Sequence, residues 1–291
     1  MAVCECGLEI AGVCFGMRSE FPISCTAQYE PFLTGRTPDY LTEFRLVDTL
    51  PALPEETRLV SRQLSFDVVQ LPDGSFRRLF FDEIHGRKCY AVAEYDFEAH
   101  RSVCLCLRDE DRNVNHMRGA FFHLAWEEIL LREGRLIAHA CLVATPEGGI
   151  LFSGPSGIGK STQGELWQTH AGARVINGDR PVLYRKNGLW LACGSPYAGS
   201  SQYYVNEAVP VRALVLLGQA SDCSIRPMKP GEAFRGLWKG MTVSDWDPSQ
   251  AKLAVELCAA AAAELPFYAL DCTPDEAAVR LLQNTLEVTG G

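Results

Sequence analysis

The chain has 291 residues, of which 47% are apolar and 22% are charged, and its formal net charge at pH 7 is −9. This length can bury one large core or two modest ones, and the acidic balance argues against a nucleic-acid-binding surface, which needs a basic face. No apolar stretch approaches the length of a membrane span, and residues 1–6 lack the basic region and apolar core of a signal peptide. We therefore expect a cytoplasmic protein that binds neither nucleic acid nor membrane, and a homo-oligomer is compatible with the sequence.

Twelve cysteines are a high count for a chain of this length. Cys4 and Cys6, like Cys104 and Cys106, form C-x-C pairs and lack the C-x-x-C spacing of zinc ribbons. Residues two apart on a strand face the same way, which favours small buried side chains. We interpret the cysteines as core residues in a reducing compartment. Five that stand singly are interpreted in the same way: Cys141, Cys193, Cys223, Cys258 and Cys272.

The first part of the chain, residues 1–115, has the pattern of a mostly β region without a catalytic motif. Its clearest candidate strand is 64–71, although the alternation of apolar and polar residues there is imperfect. A Pro-Asp-Gly-Ser turn at 72–75 would join this strand to 76–81 as a hairpin. Two further strands are predicted at 88–95 and 102–107.

Apolar residues recur at helical spacing from about 115 to 132, which predicts one helix. This helix would join the β region to a second domain, residues 116–291. A strand at 136–144, a Gly-rich turn at 146–149 and a buried strand at 150–153 are expected to follow it.

The rest of the second domain is predicted to alternate between strands and helices. An Ala-rich helix is expected at 251–264, and Thr273 would cap the last helix with Glu276 completing a capping box. Five strands are predicted, at 174–177, 181–185, 189–193, 212–217 and 267–272.

The most informative segment, 154–161, reads G-x-x-x-x-G-K-S between a predicted strand and a predicted helix, which is the pattern of a phosphate-binding loop. Glycines let successive backbone N–H groups point inward at phosphate oxygens, and the helix N-terminus adds a favourable field. Lys160 would reach the β- and γ-phosphates of ATP, and the Ser161 hydroxyl would ligate Mg²⁺. Nine residues are expected to contact the nucleotide: Gly154, Pro155, Ser156, Gly157, Ile158, Gly159, Lys160, Ser161 and Thr162.

Two polar residues flank this loop in the predicted order of strands. Asp179 follows the apolar strand 174–177, and a carboxylate at that position can hold Mg²⁺ or its water shell. Alternatively, Asp179 only starts a turn with Arg180. His139 lies on the predicted strand that forms a hairpin with the one entering the loop, although a lone strand histidine is usually a core residue.

Two other segments remain open at this stage. The stretch from 226 to 239 contains Lys229, Arg235 and Lys239, and it either supplies a cation to a transferring phosphoryl group or forms a solvated helix face. The small-residue segment 194–201 either faces an acceptor or is a surface connection.

His139, the glycine-rich hairpin, the loop at 152–162 and the sequence Ile-Asn-Gly-Asp at 176–179 together resemble the HPr kinase/phosphorylase family. The ATP-dependent phosphoenolpyruvate carboxykinases, which share that nucleotide fold, are similar as well. So is the broad group of HPr-kinase-like proteins found beside peptide-modification genes, in which a β-rich region precedes the kinase unit. The resemblance covers roughly residues 119–285, and only the stretch from His139 to Asp179 is motif-specific.

The resemblance implies an α/β nucleotide-binding domain of the HPr kinase type, with Lys160 on the phosphates and with Ser161, Asp179 and His139 at the metal. It also implies Asp179 as the candidate base for an acceptor hydroxyl, and without a first acid either Asp179 or His139 must accept the proton. The sequence departs from the family at one position, because Gly178 stands where the related proteins have the first of two adjacent acids.

The sequence thus favours an ATP- and Mg²⁺-dependent kinase that phosphorylates a hydroxyl, such as a serine of a peptide or small protein selected by the β region. A carboxykinase is a second enzyme hypothesis, but it needs a basic pocket that the sequence does not locate. A non-catalytic nucleotide-binding module that positions a partner is the third, and Gly178 favours it somewhat.

Overall fold

The architecture comes from a computed structural model of the chain, and it divides into two compact units, Met1–Ile129 and Leu130–Gly291. The chain is mixed α/β with mostly strands in the first unit, which confirms the predicted fold class at that level. The predicted domain boundary at residue 115 and the roles given to the two parts stay predictions. The structure describes residues 4–82, 86–199, 201–244 and 246–289.

The first unit contains an eight-stranded sheet with the strand order β1-β2-β3-β8-β7-β6-β5-β4. Strand β3 is parallel to both of its neighbours, and the other neighbouring strands are antiparallel. The strands are β1 (Cys4–Ile10), β2 (Val13–Ser19), β3 (Tyr40–Val47), β4 (Arg58–Arg62), β5 (Phe66–Gln70), β6 (Phe76–Asp82), β7 (Lys88–Asp96) and β8 (Arg101–Leu107). Two short 3-10 helices are Glu30–Phe32 and Arg108–Asn113.

The predicted hairpin and the last two predicted strands of this unit are present. Gly74 donates its backbone N–H to Leu71, and Leu71 donates to Ser75, which closes the turn between β5 and β6. Cys104 and Cys106 are both buried on β8, as expected for two residues on one strand face.

The single helix predicted at 115–132 is wrong, because the chain forms two helices, α1 (Met117–Phe122) and α2 (Trp126–Arg132). Ala125 between them has φ of 51°, which a continuing right-handed helix does not allow. His123 ends the first helix and is fully buried. Its Nδ1 lies 2.7 Å from the Gly119 carbonyl oxygen and its Nε2 lies 3.2 Å from the Tyr90 hydroxyl. The buried His123 ring and the left-handed backbone at Ala125 together mark the break between the two helices.

Lowering the pH should destabilise the folded chain through His123. Burial lowers the pKa of this imidazole from 6.5 to about 4. The unfolded chain then binds the proton first, so the stabilisation is complete above about pH 6.5 and is lost as the pH falls towards 4. The contribution of His123 to the free energy of unfolding should fall by about 2 kcal/mol between pH 7.5 and pH 5.

Urea unfolding of the wild type and of His123→Asn at both pH values measures this contribution. The variant lacks the titrating ring, so its stability should fall less than that of the wild type over the same interval. An equal loss in the two proteins would contradict the prediction.

The second unit has a mixed sheet with the order β12-β10-β11-β15-β14-β13-β9, and β17 pairs with both β15 and β16. Its strands are β9 (Arg135–Ile137), β10 (Ala140–Thr145), β11 (Gly148–Ser153), β12 (Arg174–Asn177), β13 (Val182–Lys186), β14 (Leu189–Cys193), β15 (Ala208–Gln219), β16 (Ser224–Pro227) and β17 (Phe267–Cys272). Its helices are α3 (Lys160–Ala171), α4 (Pro230–Lys239), α5 (Pro248–Glu264) and α6 (Glu276–Thr289).

Helices cover both faces of this sheet. Because successive side chains of a strand point to opposite faces, they alternate between two hydrophobic cores. On β10, Leu142 joins a cluster with Leu237 of α4 and Cys258 of α5. The next residue, Val143, joins the opposite cluster with Trp167 of α3 and Leu282 of α6. The unit is therefore a three-layer α/β/α arrangement in which the central strands are buried on both faces.

Two local predictions for this unit are corrected. The strand predicted at 136–144 is interrupted at Ala138 and His139, since β9 pairs with β13 whereas β10 pairs with β11 and β12. The last helix is not capped by Thr273: the Asp275 carboxylate accepts the Ala277 N–H at 2.9 Å, so the cap lies two residues later than predicted.

The cysteines carry free thiols, and the described residues contain no cluster of three or more His, Cys, Asp or Glu side chains that could hold a metal ion. Cys141, Cys193, Cys258 and Cys272 are buried and Cys223 is half-buried. Among the helices of the described ranges, none is long and apolar enough to cross a membrane.

Candidate functional site

A glycine-rich loop, residues 154–159, connects the buried strand β11 to α3. Gly154, Gly157 and Gly159 have φ angles of 149°, 77° and 111°, which L side chains rarely adopt. A Cβ atom added at Gly157 or Gly159 would meet no atom within 4 Å. Glycine is therefore required at these two positions by the backbone conformation, and the space beside them is open.

Lys160 is the first residue of α3, and its side chain folds back over the loop. The residue is 8% exposed, and its Nζ donates to the carbonyl oxygens of Gly154 and Pro155 at 3.1 Å each. Burial lowers the pKa of Lys160, and the nearby Asp179 carboxylate opposes that shift. The following residue, Ser161, is exposed in the first helical turn.

Strand pairing brings the predicted residues to one edge of the sheet. Strand β10 lies between β11 and β12 and is antiparallel to both, with Ala140 opposite Ser153 and Leu142 opposite Asn177. The carboxyl ends of β11 and β12 therefore flank the start of β10, where His139 lies.

His139 and Asp179 form a close pair at this edge. His139 Nε2 lies 3.2 Å from Asp179 Oδ1, and their side chains are 40% and 22% exposed. The backbone fixes both residues, since Ala140 N–H donates to the Asp179 carbonyl at 3.0 Å and His139 N–H donates to Gly240 at 2.7 Å. The Ser153 hydroxyl also donates to the His139 carbonyl at 3.1 Å.

Burial is the main cause of a lowered pKa at His139, and Lys160 and Arg180 lower it further, whereas Asp179 opposes the shift. A neutral ring with its proton on Nε2 can donate a hydrogen bond to the Asp179 carboxylate. This contact orients the carboxylate without neutralising its charge.

Sequence analysis missed Asn177, which organises the turn that carries Asp179. The residue is fully buried. Its Oδ1 accepts from the backbone N–H of Asp179 at 3.0 Å and of Arg180 at 2.7 Å, and its Nδ2 donates to Ser195 and Tyr197 carbonyls at 3.0 and 3.2 Å. The Asn-Gly-Asp sequence is a signal for such a side-chain turn.

The space beside Gly178 is filled in this chain. A Cβ atom at Gly178 would overlap the Ser201 side chain. Gly199 has φ of 58°, and a Cβ there would lie 3.0 Å from Asp179 Cγ. The segment 194–201 is thus packed beside the candidate carboxylate; Ser200 of that segment lies outside the described residues.

The basic stretch at 226–239 comprises the end of β16 and helix α4, and its cations are exposed. Arg226 pairs with Glu232 at 3.1 Å, and the side chains of Lys229, Arg235 and Lys239 are exposed. The part of this region that reaches the site is backbone, through Gly240 just after the helix.

Arg180 is the second residue that sequence analysis missed. Sequence reasoning gave it only a place in a turn, whereas its Nε lies 3.9 Å from Asp179 Oδ2. No local signal distinguishes such a cation from an ordinary turn arginine.

Comparison with models of known protein families finds no match to this chain, and no curated protein matches it either. Among solved structures, the chain is similar to the Hpr(Ser) kinase/phosphatase from Coxiella burnetii, with a TM-score of 0.34 and 13% sequence identity. The similarity covers 53% of this chain and 99% of that one.

Adding a side chain at Gly178 should displace Ser201 and destabilise the second unit. We expect Gly178→Ala to lower the free energy of unfolding by about 1–3 kcal/mol, the usual range for overpacking. Combining it with Ser201→Gly should recover part of that loss, because the two positions share one space.

Urea unfolding of the two single variants and the double variant measures this coupling. Gly231→Ala is the matched control, since the nearest atom to its added Cβ lies 3.9 Å away, and it should be nearly neutral. A Gly178→Ala protein as stable as the control would contradict the overlap.

Proposed function

We propose that this chain is an ATP-dependent kinase that transfers the γ-phosphoryl group to a hydroxyl, namely a serine of a peptide or small protein. The observation that carries the proposal is the His139–Asp179 pair, 3.2 Å apart, at the same sheet edge as the glycine-rich loop. A phosphate-binding loop alone would indicate only nucleotide binding. The adjacent pair adds a group that can accept a proton.

The loop has the properties that binding of a triphosphate requires. Its glycines have positive φ angles, and open space lies beside Gly157 and Gly159. Backbone amides in such a loop and at the start of α3 can donate to phosphate oxygens. Lys160 already lies inside the loop, where its Nζ contacts two carbonyl oxygens that phosphate oxygens would replace.

Mg²⁺ fits the donor set, because the exposed Ser161 hydroxyl and the Asp179 carboxylate are oxygen ligands and this ion keeps several of its waters. When bound, it would neutralise charge on the phosphate oxygens. Ser161 and Asp179 are therefore the residues that would hold it.

At the acceptor end, the hydroxyl oxygen forms a bond to the γ-phosphorus while the bond to the ADP oxygen breaks. The hydroxyl proton passes to the Asp179 carboxylate, which His139 orients through its Nε2–H. General-base help of this kind contributes typically 10²–10⁴-fold to the rate. The β-rich first unit would select the acceptor under this proposal.

A nucleotide-binding module without chemistry is the second candidate, and the packing at Gly178 favours it. Ser201 occupies the space of the missing acid, so a second carboxylate cannot share the work of Asp179. Such a module would bind ATP and position a partner without consuming the nucleotide.

Substitutions at the loop and at the carboxylate separate the two candidates. Lys160→Ala should abolish both ATP binding and phosphoryl transfer, since it removes the charge inside the loop. Asp179→Asn should retain ATP affinity measured without Mg²⁺ and lower transfer by about 100-fold or more. Transfer is measured with labelled ATP, Mg²⁺ and a pool of serine-containing peptides.

Lys186→Ala is the matched control, because Lys186 is an exposed lysine at the end of β13 in the same unit. It should behave like the wild type in both assays. ATP binding without any transfer would favour the module, and a Lys160→Ala protein indistinguishable from the wild type would overturn both candidates.

A further inference from the structure

We propose that Arg180 is a positioning residue of this site, which fixes the Asp179 carboxylate and joins the chain segments that hold Asp179 and His139. The inference rests on the proposed phosphoryl transfer and assigns a role that the loop motif does not include. It stands on the contacts that the side chain and backbone of Arg180 make.

The guanidinium group of Arg180 is held on three sides. Its Nη1 donates to the Thr242 hydroxyl at 3.1 Å, and its Cζ lies 4.6 Å from the centre of the Tyr197 ring. Its Nε lies 3.9 Å from Asp179 Oδ2. A planar cation on an aromatic face, with a hydrogen bond at its edge, has a fixed orientation that a lysine ammonium cannot reproduce.

The backbone of Arg180 is fixed as well. Its N–H donates to Asn177 Oδ1 at 2.7 Å, and its carbonyl oxygen accepts from the Ser195 hydroxyl at 2.7 Å. The side chain is 28% exposed, so solvent reaches it while the protein determines its position.

These contacts connect both members of the candidate pair. Thr242 belongs to the segment after α4, where Gly240 accepts the His139 N–H and Thr242 N–H donates to Ile137. Tyr197 belongs to the loop that packs beside Asp179. Arg180 therefore links the segment that holds His139 to the loop that flanks Asp179.

Loss of this link should change the chemical step more than nucleotide binding. A displacement of about 1 Å in a reacting group can cost about 100-fold in rate. We expect Arg180→Met to lower kcat by about 10- to 100-fold while KM for ATP changes by less than about twofold. Arg180→Lys should recover only part of kcat, because it keeps the charge and loses the planar stack.

The experiment measures kcat and KM for ATP with Mg²⁺, using a pool of serine-containing peptides and, in parallel, water as the acceptor. Tyr197→Leu tests the stacking contact and should lose more activity than Tyr197→Phe, which keeps the ring. If Arg180 acts through Tyr197, the double variant Arg180→Met/Tyr197→Leu should be about as active as Arg180→Met alone.

Arg185→Met is the matched control, because Arg185 is an exposed arginine of the same unit that pairs with Glu264 at 2.9 Å; its kcat should equal that of the wild type. Circular dichroism and thermal unfolding confirm that each variant is folded.

A fall in kcat with KM retained, and a double variant no worse than Arg180→Met, would support the assignment. Wild-type kcat in Arg180→Met, a loss confined to ATP affinity, or additive losses in the double variant would overturn it and leave the proposed kinase intact. No transfer by the wild type to peptides or to water would overturn the assignment and the proposed function together.

Discussion

The candidate site depends on the hydrogen bonding of β10 to two neighbours that both run opposite to it. Because β11 and β12 are each antiparallel to β10, they run in the same direction and end at the same edge of the sheet. The loop that follows β11 and the carboxylate that follows β12 therefore emerge beside His139. Burial on both faces of β10 maintains its register, because a shift by one residue would exchange the side chains of the two cores.

The turn that carries Asp179 is held in place by uncharged groups. Asn177 is fully buried and uses its amide to join the turn to the loop at 195–197. Buried polar groups are costly unless they are paired, so a network in which each atom has a partner favours one conformation. Gly178 and Ser201 complete the packing. The absence of a second carboxylate is thus coupled to the position of a whole loop.

Local sequence signals predicted the parts of this arrangement that depend on local physics. The glycine-rich loop needs positive φ angles at set positions, so its glycines identify it in the sequence. The buried strands β11 and β12 are short apolar runs with clear ends, so their predicted bounds are nearly correct. The breaks at 138–139 and 123–125 were not predicted. The first depends on a contact of His139 with Gly240, which is distant in the sequence. The second lies beside His123, whose side chain is buried in the folded unit. Arg180 was missed for the same reason, because its partner Thr242 comes from another segment.

The electrostatics of the site differ from the balance of the chain as a whole. The formal net charge of the whole chain is −9 at pH 7. Around the loop, however, Lys160 and Arg180 carry positive charge and Asp179 carries negative charge, and both cations act with burial to lower the pKa of His139. Within this group of three charged residues the two cations outnumber the one carboxylate. Since a buried charge is screened less than a surface charge, under the proposed function these few residues, and not the acidic surface elsewhere, would set the potential that a compact triphosphate meets.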